Sequence, residues 1–117
     1  MATTTATQKT IVTVLYPCKH DARFDLDYYL TTHMPLVKQH WQKHGLQSYR
    51  VVQMQADAPY SIMAQMEFAS GEAFGMAVRD EEAMGEIRAD VVRFSSEEPV
   101  IVRGEVVGGW VDGGDGR

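Results

Sequence analysis

The chain has 117 residues, 44% of them hydrophobic and 23% charged, with a formal net charge of −5 at pH 7. Those totals suit one soluble domain with a core of its own and exclude a disordered chain. Lys and Arg are scattered and leave no basic face for nucleic acid, no stretch nears the ~18 apolar residues of a membrane span, and MATTTATQK lacks the apolar segment of a secretory signal, so a cytoplasmic protein is expected.

Residues 1–8 read as a mobile Thr/Ala-rich lead and residues 109–117 as a mobile glycine-rich tail, flanking one domain over 9–108. Thr10 to Tyr16 (TIVTVLY) is β-branched and aromatic, a first strand closed by Pro17. Cys18 is the single cysteine, without a CxxC partner, which fits a reducing compartment. Lys19 and His20 adjoin it in sequence, but adjacency places no base on its sulfur, and a turn thiol is expected.

Asp25 caps the helix that follows, and with Asp27 it complements the helix dipole better than it suggests a glycosidase pair. Within FDLDYYLTTHMPLVKQHW (Phe24 to Trp41), Pro35 lacks an N–H and its ring crowds the carbonyl of Thr31, at a cost of about 3 kcal/mol in a continuous helix. Met34, preceding it, is pushed out of helical geometry. The expectation is one helical piece from Leu26 to about Thr32 and a second that starts at Pro35 and runs to about His44, stopped by Gly45.

His33 then sits at the seam, where a freed carbonyl can fix its tautomer and its ring can serve either as a proton carrier or simply as a cap. Tyr29 and His33 are i and i+4 and share a face, while Tyr28 lies about 100° round the helix, so one tyrosine packs inward and the other reaches an edge. Val37 and Trp41 continue the apolar face. His40 and His44, also i and i+4, could clamp a metal, but HExxH and a carboxylate at ligand spacing are missing, so a solvated helix face is expected and no metal.

Leu46 to Met54 and Tyr60 to Phe68 form a hairpin through QADAP, with apolar residues in both alternating sets, so each face of the sheet needs a cover. Ser70 caps a second helix over Glu72 to Asp80, with Phe74, Ala77 and Val78 on one stripe, continuing through Met84 to Ile87. RADVVRFSSEE reads as a loop or short segment, and VIVRGEVVG after Pro99 as the last strand. The order predicts an α+β fold: a ferredoxin-like split βαβ sandwich with four antiparallel strands, helices on one face, and a second copy's sheet covering the other.

LYP (Leu15 to Pro17), ARFDLDYYLTTHMPLV (Ala22 to Val37), GLQSYRV (Gly45 to Val51), then Phe68, Glu72, Ala73 and Phe74, MGEI (Met84 to Ile87) and Pro99 to Val107 together resemble the EthD-like family of dimeric α+β barrel proteins. The resemblance covers roughly Lys9 to Gly108. It implies a homodimer paired through its sheets, each subunit holding an apolar cleft between sheet and helices. Members and relatives carry out cofactor-free oxygenation of aromatic polyketides, decarboxylation, dehydration, cyclisation and lactone isomerisation. The histidine of the family's HxP motif faces the cleft, a role that falls on His33, with Tyr16 and Tyr29 beside it. Phe24, Val37, Trp41, Met63 and Phe74 are the expected apolar lining. Glu86 stands where the family has Asp, and RADVVRF replaces a PNFTD-like run.

The leading functional expectation is a cofactor-independent enzyme of natural-product or aromatic metabolism, a lyase, isomerase, cyclase or monooxygenase. In it His33 moves a proton on an apolar carbonyl or phenolic substrate and Tyr16 or Tyr29 donates to the developing oxygen anion. The alternative is a non-catalytic carrier of an apolar small molecule, with seven methionines as an adaptable lining. A metal or haem protein using His33, His40 and His44 is a third reading. No Gly-rich phosphate loop stands in strand-to-helix context, so no nucleotide cofactor is predicted.

Overall fold

A computed structural model describes residues 8–112. Most of the expected mobile lead and of the expected tail lies outside these residues. The β-branched and aromatic segments form β1 (Thr10–Pro17), β2 (Leu46–Gln53), β3 (Tyr60–Phe68) and β4 (Val100–Glu105), one antiparallel sheet in the order β2-β3-β1-β4. This is the split βαβ order, and the chain has the α+β fold that its pattern predicts.

Alternation sorts the strand residues between two faces. Thr10, Val12 and Tyr16 of β1 and Ile62, Ala64, Met66 and Phe68 of β3 are buried beneath the helices. On the opposite face Val52, Met63, Leu15 and Val100 are register partners in one apolar row across all four strands. β4 is exposed along its whole length and ends at Glu105, short of the expected strand. Val106 still donates its N–H to Lys9 O at 2.8 Å, after which Val107, Trp110 and Val111 project into solvent.

The first helical run, α1, spans 26–44, and it departs from expectation at its centre. Rather than breaking before Pro35, it passes from Leu26–Tyr28 into a π-helical turn, Tyr29–His33, and on into Met34–Trp41 and a closing 3₁₀ turn, Gln42–His44. Met34 is helical, at φ −66° and ψ −36°, and its N–H bonds Tyr29 O, five residues back. The wider turn displaces the carbonyl that the pyrrolidine ring would otherwise strike, so an inserted residue does the work expected of a break.

The second helical segment also differs. It is two helices, α2 (Gly71–Arg79) and α3 (Glu81–Asp90), because Asp80 turns extended, at ψ 91°, and caps the second by accepting from Ala83 N. The same carboxylate accepts from His44 Nε2 at 2.9 Å, tying the end of α1 to the joint between α2 and α3. Asp25 and Ser70 cap α1 and α2 as expected, accepting from Tyr28 N and Ala73 N.

Gly45 closes α1 in the left-handed region at φ 99°, and a Cβ there would come within 2.8 Å of Ala73 Cβ. Backbone strain and a clash against α2 act together, so Gly45→Ala is expected to destabilise the fold by more than about 1 kcal/mol. Equilibrium denaturation reads this directly; an unshifted midpoint would contradict the close packing of α1 against α2.

Candidate active site

Between the helical layer and β1, β3 and β4 lies a cleft of about 140 Å³, walled by Val14, Tyr16, Met66, Val37, Trp41 and Ile101 among others, with His33 set into it. That volume resembles the roughly 150 Å³ of an engineered apolar cavity that takes up benzene. It has room for about one ring. Larger depressions lie open at the surface, two of about 600 Å³ around Arg93 and around Arg79 and two of about 240 and 220 Å³ beside β2 and beside Cys18, and none of the four includes His33.

The π turn places Tyr29 and His33 side by side with their rings nearly parallel, 15° apart and 5.4 Å between centroids. Both are buried. Phe94 closes against His33 at 4.5 Å, and Tyr16 meets Tyr29 edge-on at 5.6 Å. Tyr28, one residue round the helix, stays half-buried at the edge and donates its hydroxyl to Asp90 Oδ1 at 2.6 Å.

Asp90 is the residue of the candidate site that sequence reasoning missed. Its Oδ2 lies 2.9 Å from His33 Nδ1, and only 5% and 11% of the two side chains are exposed. The His33 ring was expected to bond a freed backbone carbonyl; the π turn leaves it facing a carboxylate from α3 instead. Burial raises the Asp90 carboxyl, but the bonds from Tyr28 and His33 with the charge of Arg93 outweigh it, and the group titrates below its ordinary 3.8. Burial likewise pulls His33 below its ordinary 6.5, with Asp90 opposing in part. The outcome at neutral pH is a neutral imidazole that donates Nδ1–H to a carboxylate and keeps the Nε2 lone pair free.

Burial also pushes the Tyr16 and Tyr29 phenols well above their ordinary 10. They remain protonated and their hydroxyls face each other, a state suited to donating to an oxygen that gains negative charge and not to proton abstraction. Trp41, on the cleft wall, has an Nε1–H buried without a partner.

The expected lining is partly corrected. Tyr16, Tyr29, His33, Val37 and Trp41 do meet at the cleft. Met63 points to the other face of the sheet, in register with Leu15 and Val52, and the inward methionine is Met66, an odd number of residues along the strand. Phe24 packs behind Tyr16 and Tyr29, at 4.9 and 5.0 Å, outside the cleft wall. Phe74 joins Trp41 and Phe68 in a separate aromatic group, with Arg103 over its ring at 5.2 Å. His40 and His44 bond different carboxylates, Glu86 and Asp80, and no group of three or more His, Cys, Asp or Glu gathers among the described residues. Cys18 is exposed. No helix among these residues is long and apolar enough to cross a membrane.

A four-stranded antiparallel sheet in the order β2-β3-β1-β4, with its helices on one face, defines a ferredoxin-like α+β protein. The sequence profile of the EthD domain matches residues 20–98, and the chain belongs to the EthD family. It is similar to an EthD-like protein from Ralstonia eutropha JMP134, with 31% identity over 90% of this chain and 97% of that one and a TM-score of 0.76. An EthD family protein from Bacillus halodurans C-125 shares 20% identity over 85% and 99%, with a TM-score of 0.65. The cofactor-independent oxygenase SnoaB from Streptomyces nogalater shares the fold, with 11% identity over 83% and 92% and a TM-score of 0.56. A comparison with curated proteins returned no match.

Because Asp90 raises the His33 pKa against the effect of burial, Asp90→Asn is expected to lower it further, a shift that an NMR titration of the imidazole reads. The depressed folded value also fixes the sign of a stability change. The contribution of neutral His33 is fully present above the unfolded value of about 6.5 and is lost as pH falls from there through the folded value. In His33→Asn that part of the pH dependence of unfolding should flatten.

Proposed function

We propose that the chain is a cofactor-independent enzyme that uses His33 Nε2 as a general base on a small carbonyl or phenolic substrate held in the cleft. The observation that carries this reading is the enclosed His33–Asp90 pair opening on an apolar cleft with two protonated tyrosines beside it. Nε2 takes a proton from an acidic C–H or O–H; Asp90 steadies the imidazolium that forms, and Tyr16 and Tyr29 donate to the enolate or phenolate oxygen. The anion can be reprotonated at another carbon, expel a β-hydroxyl group that leaves as water with the proton held on His33 Nε2, or react with dioxygen to give a hydroperoxide. Isomerase or cyclase, lyase and oxygenase outcomes therefore share this first step. The EthD membership and the shared fold with a cofactor-independent oxygenase are compatible with it, although a fold hosts many chemistries.

Incubation with a panel of small β-keto acids and phenols in D₂O, followed by mass spectrometry, reads that step without prior choice of the product. His33→Ala is expected to slow deuterium uptake by about 10² to 10⁴. His40→Ala, on the outer side of α1 against Glu86, should leave it unchanged. A panel that binds yet never exchanges would turn the reading toward a carrier of apolar small molecules, and exchange that survives His33→Ala would end it.

The working unit in this proposal is a homodimer paired through the outer sheet faces. The apolar row Val52, Met63, Leu15 and Val100 is the surface that such pairing would remove from water, and a protein of the same fold from an uncultured marine organism is dimeric. Wild-type protein is expected to sediment as a dimer and Leu15→Glu as a folded monomer. A monomeric wild type at micromolar concentration would refute the pairing.

A further inference from the structure

Arg88 reaches the cleft from α3, two residues before Asp90 and one turn beyond Met84, and it forms part of the wall together with Ile87, Val91 and Pro99. Among the described residues it makes no ion pair, whereas Asp90 is already engaged by Tyr28, His33 and Arg93. The cleft wall includes no carboxylate. With His33 neutral, Arg88 carries the one fixed charge on that wall, and the charge is opposite in sign to the net −5 of the whole chain.

From this arrangement we infer that the cleft takes a small carboxylate: an apolar body of about one ring, its carboxylate turned outward to the Arg88 guanidinium and its acidic C–H or O–H turned inward to His33. The inference rests on the proposed function for the inward end only. The apolar walls recognise the ring, and a neutral body alone would leave the guanidinium without a partner. A guanidinium donates to both carboxylate oxygens in one plane, an interaction that an ester or amide of the same shape cannot match. The exposed position of Arg88 suits this role, because the charge stays hydrated until the ligand arrives and the cleft itself buries none. Discrimination between acid and ester is a specificity function of Arg88, separate from proton transfer at His33.

The test compares benzoate with methyl benzoate, titrated calorimetrically into wild type, Arg88→Gln, Arg88→Lys and His40→Ala at low and at moderate salt. Wild type should prefer the acid by about ten-fold to a hundred-fold, and less so as salt rises. Arg88→Gln should lose the preference while still binding the ester, Arg88→Lys should keep part of it, and His40→Ala, outside the cleft, should keep all of it. Equal binding of acid and ester by wild type, or an unchanged preference in Arg88→Gln, overturns the inference and leaves the His33 chemistry standing. An Arg88-dependent preference accompanied by deuterium exchange that survives His33→Ala does the reverse. Failure of wild type to bind either compound overturns the inference.

Discussion

A proline that must sit inside a helix is the constraint from which the cleft follows. Pro35 cannot donate to the carbonyl four residues back, and a chain that simply broke there would point His33 and Tyr29 in unrelated directions. The π turn absorbs the proline with one extra residue per ring of hydrogen bonds and keeps the run continuous into Met34–Trp41. Its extra rotation brings His33 against Tyr29 as a stacked pair and turns the Nδ1 edge of the imidazole toward α3. A wider turn costs packing and hydrogen-bond quality, and such turns concentrate where a side chain has to be aimed.

Electrostatics then follows from which groups are buried together. His33 and Asp90 are both withdrawn from water, and each alone would carry a penalty. Paired, the carboxylate keeps its charge because Tyr28, His33 and Arg93 face it, while the imidazole gives up its own because burial outweighs a single neighbour. The two residues thus hold one negative charge between them, set behind the ring and away from the cleft. The tyrosines are neutral donors at any physiological pH. What remains on the cleft wall is a neutral imidazole, two phenols and Arg88 among apolar side chains.

Most of the architecture was legible because it is written in local signals. Caps at Asp25 and Ser70, the left-handed Gly45 and the β-branched runs each depend on a few neighbouring residues. Asp80 was misread as helix interior, since a residue that both ends one helix and caps the next looks in sequence like part of either. Met63 was assigned to the cleft in place of Met66 because both faces of the sheet are apolar, and alternation alone does not say which parity meets the helices. The EthD resemblance pointed to His33 and Tyr29 through the contiguous ARFDLDYYLTTHMPLV and to Tyr16 through the separate LYP, and the three line one cleft. Asp90 had no such motif: it lies in RADVVRF, the stretch where the chain departs from the familiar pattern, and only the packing of α3 on α1 reveals its partner.

That packing also makes the histidine a reporter of assembly. His33 and Asp90 are 57 positions apart, on helices that meet only when the whole split βαβ topology has closed over the sheet. Contacts of such long range form at a large loop-closure cost and complete late in folding. A nascent or locally opened chain that has α1 but lacks α3 would expose an ordinary imidazole, solvated and untethered, with no reactive character to misdirect. The pairing that sets the charge of His33 therefore arises only with the finished fold, and in the proposed reading an incomplete molecule is inert and not promiscuous.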